Sequence, residues 1–135
     1  MKSKILLFEG YDGSGKSTLI DNYVNFLKRN GKSVFLVGRD LNTGINYLTK
    51  IIRDKDLIID PTTEILVRLA RENERIAILK EERFRHDYII FDRSLLSAIS
   101  WIKYYHQSFS KYEPLISYVF KDYGVCFLIY LTISE

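Results

Sequence analysis

The stretch Gly10-Tyr11-Asp12-Gly13-Ser14-Gly15-Lys16-Ser17 constrains this chain more than any other. It fits the pattern Gly-x4-Gly-Lys-Ser/Thr, follows the apolar run Ile5-Leu6-Leu7-Phe8 and opens a segment of helical periodicity. A loop of this kind folds tightly around an anion and turns its backbone N–H groups inward, which is why it needs glycines. Gly10, Gly13, Ser14, Gly15, Lys16, Ser17 and Thr18 therefore read as the residues that hold nucleotide phosphates. Lys16 adds positive charge at the β- and γ-phosphates, and Ser17 offers a hydroxyl to a bound magnesium ion. ATP and Mg2+ are the expected ligands.

The rest of the composition narrows the class. A chain of 135 residues is the length of one domain, taken as residues 1–135. Its 47% hydrophobic and 27% charged content is that of a globular chain, not a disordered one. The net charge of +3 is small and its acids and bases are interspersed, so no nucleic-acid partner is expected. The single cysteine, Cys126, lies inside an apolar run and reads as a buried, inert thiol. No segment approaches eighteen consecutive apolar residues and the N-terminus carries no signal pattern. With ATP chemistry and a free cysteine, this gives a cytoplasmic expectation and no membrane partner.

Four short apolar runs read as strands, at about 4–9, 33–37, 88–91 and 125–131. They are continuous and not alternating, as strands buried on both faces of a parallel sheet are. Residues 16–29 carry Leu19, Ile20, Tyr23, Phe26 and Leu27 at helical spacing, with Gly31 as a stop. Residues 62–85 form the longest helical pattern, with Pro61 before it and Thr62 or Thr63 as cap. Its expected apolar stripe runs through Leu66, Leu69, Ala70, Ile76 and Ala77, with Asn73 in its middle. Two further helices are expected at 94–106 and 112–122. Strands alternating with helices give an α/β fold, a three-layer doubly wound parallel sheet of the P-loop NTPase type. Ligands in such folds sit at the carboxyl ends of the strands, so the residues just past each strand carry the chemistry.

Asp12, inside the loop, either serves a second substrate's hydroxyl or a metal-bound water, or caps its own turn. Arg39, after the second strand, either forks onto a phosphate or makes a surface ion pair. The third strand closes in Asp92-Arg93, where an acid beside a phosphate loop is placed to position magnesium and the arginine to face a transferred phosphate. Lys16, Asp12, Asp92 and Arg93 thus form the expected catalytic set. On the long helix, Arg71 either touches the acceptor or joins Arg68, Glu72, Glu74 and Arg75 in a solvated, salt-bridged face. Asn73 either reads a base edge or is a satisfied buried amide. His86 and His106 have no partner at ligand or triad spacing and read as structural. The aromatic stretch from Trp101 to Tyr112 reads as core or subunit packing in preference to a stacking platform for single strands.

Phe8-Glu9-Gly10-Tyr11-Asp12-Gly13-Ser14-Gly15-Lys16-Ser17-Thr18 and Phe91-Asp92-Arg93-Ser94-Leu95-Leu96-Ser97 together resemble the thymidylate kinase family. The resemblance implies transfer of the ATP γ-phosphoryl to a (deoxy)nucleoside monophosphate, and a homodimer. It implies Asp12 near the acceptor's sugar and phosphate, Arg39 and Arg93 on its phosphate, and Asp92 with Ser17 at magnesium. Ser97 and Trp101 match a serine and an aromatic position of the same motif and join the acceptor site. Three departures stand out: Ser94 replaces a Tyr or His, Asp40-Leu41-Asn42-Thr43-Gly44 replaces a Pro-containing segment, and no Phe occurs in 68–73. Asp-Arg-Ser is also similar to the Glu-Arg-Ser of deoxynucleoside kinases, the second reading. The closing Leu131-Thr132-Ile133-Ser134-Glu135 looks like the strand before the family's arginine-bearing lid. The last strand and the lid are then expected to be missing here, which keeps open a nucleotide-binding module without kinase activity.

Overall fold

The computed structural model describes residues 2–11, 13–38, 43–57, 60–105 and 109–132. The four apolar runs form strands β1 (Lys4–Gly10), β2 (Val34–Val37), β3 (Tyr88–Asp92) and β4 (Phe127–Leu131). They make one parallel sheet in the order β2-β3-β1-β4. Among the described residues five α-helices connect them, α1 (Lys16–Arg29), α2 (Gly44–Asp54), α3 (Pro61–Glu82), α4 (Leu95–Tyr105) and α5 (Phe109–Phe120), the last followed by a 3-10 turn at Lys121–Tyr123.

Side chains on successive strand residues point to opposite faces, and here each face has its own cover. Ile5, Leu7, Ile89 and Phe91 pack with Ile65, Leu69, Ile76 and Leu79 of α3, Leu95 and Ile102 of α4, and Ile116 and Val119 of α5. Leu6, Phe8 and Ile90 pack on the other face with Ile20 and Leu27 of α1. The result is the expected three-layer architecture. From β1 the chain crosses to β2 on one side, and from β3 it crosses to β4 on the other. The carboxyl ends of β1 and β3 therefore flank the switch point where doubly wound sheets bind ligands.

The structure alters several expectations. Only β1 and β3 are buried on both faces. Phe127, Leu128 and Tyr130 of β4 are 54%, 54% and 55% exposed, because β4 is an edge strand. The stripe of α3 is shifted by one residue: Ile65, Leu69, Glu72, Ile76 and Leu79 face the core, while Leu66, Asn73 and Ala77 are exposed. The pattern was obscured because one of the inward positions is an acid. Asp60, not Thr62 or Thr63, caps α3, accepting from both of their N–H groups at 3.0 and 3.3 Å. Pro61 then occupies the first helical position, where its fixed φ fits and its missing N–H does no harm. Helix α2 has no counterpart among the expected elements, and none of its residues is buried. Cys126 is half-buried against the core, and that burial pushes its thiol pKa up.

Candidate active site

Gly13 and Gly15 adopt φ values of 83° and 85°, a region closed to most side chains, and Gly15 starts α1 from that conformation. Its N-cap, Gly15, has no side chain to cap the helix, and no acid lies in the first turn of α1. Its opening N–H groups and the positive end of the helix dipole therefore face the loop, the arrangement that favours an anion. Gly13, Gly15, Ser17 and Thr18 are exposed there, Ser14 is half-buried, and Tyr11, Gly13, Gly15, Lys16, Ser17 and Thr18 line a cavity of about 240 Å³. Gly10 is buried, with Ser14 and Leu131 against the place where a Cβ would stand.

Strand register sets what meets the loop. Asp92 pairs with Phe8, so its side chain lies on the α1 face of the sheet. There the ammonium of Lys16 donates to the carboxylate of Asp92. Glu9, one residue on from Phe8, faces the opposite layer. Its carboxylate is 5% exposed and accepts from the Ser94 N–H at 2.7 Å, the Ser94 hydroxyl at 2.6 Å and the Ser97 hydroxyl at 2.6 Å. Ser94 also caps α4 by accepting from the Leu96 N–H at 3.2 Å, and Tyr123 accepts from the Leu95 N–H at 2.9 Å. The phenol of Tyr123 is fully buried and its pKa is pushed far up by that burial.

Arg93 stands between these two arrangements with φ 65°. Its N–H donates to the Phe8 carbonyl at 2.9 Å, and its own carbonyl accepts from Arg75 at 2.9 Å. Arg75 and Glu72 are both buried and paired at 2.8 Å, so they belong to the interior and not to a solvated face. Beside them, between α2 and α3, lies a cavity of about 580 Å³. Lys50, Arg53, Arg68 and Arg71 line it with Asp56 and Glu64, giving it a basic excess. The Arg68 guanidinium also lies 3.8 Å from the centre of the Trp101 ring.

The expected site residues thus fall into groups. Gly10, Gly13, Ser14, Gly15, Lys16, Ser17, Thr18, Asp92 and Arg93 converge on the carboxyl ends of β1 and β3. Arg71 lines the cavity, and Trp101 stacks on Arg68, another of its lining residues. Ser97 points at Glu9. Asn73 is exposed and not part of the buried stripe. Asp12, Arg39, His106 and the last residues 133–135 lie outside the described residues. Of the aromatic stretch, Trp101, Phe109 and Tyr112 pack on the core while Tyr104 and Tyr105 are exposed. Sequence reasoning missed Glu9, Glu72 and Arg75. A signal for the last two existed: Glu72 is in phase with Ile65, Leu69, Ile76 and Leu79, and Arg75 follows it by three residues.

Comparison with known proteins fits this geometry. Residues 8–113 match the family profile described as thymidylate kinase. The thymidylate kinase of Caldicellulosiruptor saccharolyticus is 34% identical over 101 residues, covering 73% of this chain and 49% of that protein. That of Blochmanniella floridana is 27% identical over 141 residues, covering 100% of this chain and 67% of that protein. The chain spans about half the length of several curated thymidylate kinases it matches. Among solved structures, thymidylate kinase from Ehrlichia chaffeensis superposes with a TM-score of 0.68 at 24% identity, over 99% of this chain and 74% of that one. Thymidylate kinase from Candida albicans gives a TM-score of 0.71 at 20% identity, over 98% and 64%. At these identities the structural likeness speaks for the fold, the P-loop NTPase type.

Proposed function

Because the chain belongs to the thymidylate kinase family, we propose that it is a nucleoside monophosphate kinase, moving the γ-phosphoryl of ATP onto a (deoxy)nucleoside monophosphate. The observation that carries this reading is the meeting of Lys16 with Asp92 across the switch point, with Arg93 as the next residue. The loop and the start of α1 bind the ATP phosphates, Lys16 neutralises charge on them, and Arg93 receives the acceptor phosphate. Asp12 and Arg39 join Arg93 at that phosphate. In this reading the acceptor's sugar and base lie toward the cavity between α2 and α3, and an Arg71 contact with them is supported by its lining that cavity.

Ser17 and Asp92 offer a hydroxyl and a carboxylate, the oxygen donors that suit magnesium. Among the described residues no cluster of three or more His, Cys, Asp or Glu side chains can hold a metal alone, so water and phosphate oxygens would complete the shell. When bound, Mg2+ supplies charge neutralisation at the β- and γ-phosphates. No protein group forms a covalent bond in this reading; positioning and electrostatics lower the barrier. No helix among the described residues is long and apolar enough to cross a membrane. We place the reaction in the cytoplasm, with a homodimer as the working assembly.

The test is ATP-coupled turnover with dTMP, dUMP, dCMP, dAMP and dGMP and with the corresponding nucleosides. Turnover of monophosphates alone is expected. Turnover of nucleosides alone would replace this reading with a nucleoside kinase. MgATP binding with no turnover of any acceptor would leave a nucleotide-binding module.

A further inference from the structure

Arg75 is 4% exposed, and a guanidinium so far from water needs hydrogen-bond and charge partners to offset its lost hydration. Of its two terminal nitrogens one, Nη1, donates to Glu72 at 2.8 Å. The other, Nη2, is shared among three backbone carbonyls: Val37 at 3.1 Å, Asp92 at 2.8 Å and Arg93 at 2.9 Å. All three sit at the carboxyl ends of β2 and β3, the rim on which the phosphate loop opens. The fork of a guanidinium can serve several fixed acceptors at once, which a single ammonium does less well.

What Arg75 holds there is a strained turn. Arg93 has φ 65°, and outside glycine that region is sparsely occupied and costs conformational energy. Two hydrogen bonds hold its backbone: its N–H donates to the Phe8 carbonyl, and its carbonyl accepts from the Arg75 side chain. On the other side of the pair, Arg71 Nη2 lies 3.5 Å from Glu72, and Arg71 lines the cavity between α2 and α3. A continuous path of charged contacts therefore runs from that cavity through Glu72 and Arg75 to the Asp92-Arg93 turn.

We infer that Arg75 is a positioning residue, which holds the Asp92-Arg93 backbone in its left-handed turn and so aims the Arg93 side chain. The turn geometry stands by itself; only the purpose given to Arg93 rests on the proposed kinase reading. The rival account is that Arg75 merely stabilises the fold by filling three carbonyls. The two differ in where damage appears when it is removed.

Native-state amide hydrogen exchange, read by NMR on the whole chain, separates them. Glu72→Met/Arg75→Met removes the pair together, so neither charge is left buried alone. Arg75→Lys keeps the charge without the fork, and serves if the double variant fails to fold. Exchange at Arg93 and Ser94 should accelerate at least about tenfold more than at Ile89 and Ile90, the mark of local opening. Equal acceleration at all four amides would overturn the inference.

A double-mutant cycle reads the purpose. Arg75→Lys should weaken dTMP binding in calorimetry by about fivefold or more, yet add less than about twofold in an Arg93→Ala background. The same loss in both backgrounds would show that Arg75 does not act through Arg93. Were dTMP affinity untouched by Arg93→Ala, or dTMP not bound at all, the acceptor role of Arg93 would fall. The exchange pattern would still decide the role of Arg75.

Discussion

The ammonium of Lys16, in the first turn of α1, donates to the carboxylate of Asp92 at the end of β3. The two residues are far apart in sequence and meet because β1 and β3 are register partners, with Phe8 beside Asp92. The contact ties the loop to the strand that carries Asp92-Arg93. On the proposed kinase reading, a triphosphate at the loop would compete with Asp92 for Lys16, and the carboxylate so released would be available to a metal ion.

Lys16→Met tests that arrangement directly. A charge-assisted hydrogen bond is worth about 1.5–3 kcal/mol, so MgATP affinity should fall by roughly ten- to a hundredfold. The fold should persist, because the Asp92 side chain left behind is 26% exposed and water can reach it. Calorimetry gives the affinity and circular dichroism the fold. Unchanged affinity would remove Lys16 from the phosphate site.

Glu9 carries a different load. Its carboxylate is the acceptor for the Ser94 N–H and for two hydroxyls, with Glu9 and Ser94 buried and Ser97 half-buried. Glu9→Ala leaves the Ser94 donors buried and unpaired, at about 1–3 kcal/mol for each group without a substitute partner. Glu9→Gln retains one acceptor oxygen and should lose less. Urea midpoints of the two variants should therefore rank Ala well below Gln. Equal midpoints would mean that the Ser94–Ser97 turn finds other acceptors.

Much of this was legible in the sequence, for identifiable reasons. The strands are continuous apolar runs, so their positions stood out, and the ends of α1 were legible from Lys16 and from Gly31 beyond it. Asp92 stands out in the sequence because an acid closing such a run is conspicuous. Glu72 and Arg75 do not, since an acid and a base three apart on a helix look like an exposed pair. Only the packing of α3 against β2 and β3 buries them. Helix α2 escaped because it buries no residue, leaving no stripe tied to a core. The exposure of β4 could not be read from its composition, because edge or centre is a property of strand order.

Two glycines of the loop make opposite predictions. A Cβ on Gly10 would come within 2.9 Å of the Ser14 hydroxyl and 3.2 Å of Leu131 Cβ and carbonyl, so Gly10→Ala forces the loop or β4 to shift. The expected loss is about 1–3 kcal/mol of stability, as for other overpacked sites. At Gly15 a Cβ would meet nothing within 4 Å among the described residues beyond its immediate neighbours, but φ is 85°. Gly15→Ala should cost about 1–2 kcal/mol through backbone conformation alone. It should also weaken ATP, because the loop can relieve the strain only by turning its N–H groups. Thermal melts with and without MgATP separate the cases; Gly15→Ala with full ligand stabilisation would show that the turn tolerates a side chain.

The last prediction concerns pH. The Asp87 carboxylate accepts from the Ser33 N–H at 2.8 Å and the Ser33 hydroxyl at 3.2 Å, joining the segments that enter β2 and β3. The hydrogen bond from the Ser33 backbone is the main cause that holds its pKa below the ordinary value. The folded state therefore binds this proton less readily than the unfolded one. The stabilisation is present above the unfolded pKa of about 3.9 and is lost as pH falls through the lower folded value. Asp87→Asn keeps an acceptor oxygen but cannot ionise. Its urea midpoint should trail the parent at neutral pH and converge on it below about pH 4, where the parent's carboxylate also protonates. A gap between the two that stays constant across that range would show that Asp87 contributes nothing through its charge.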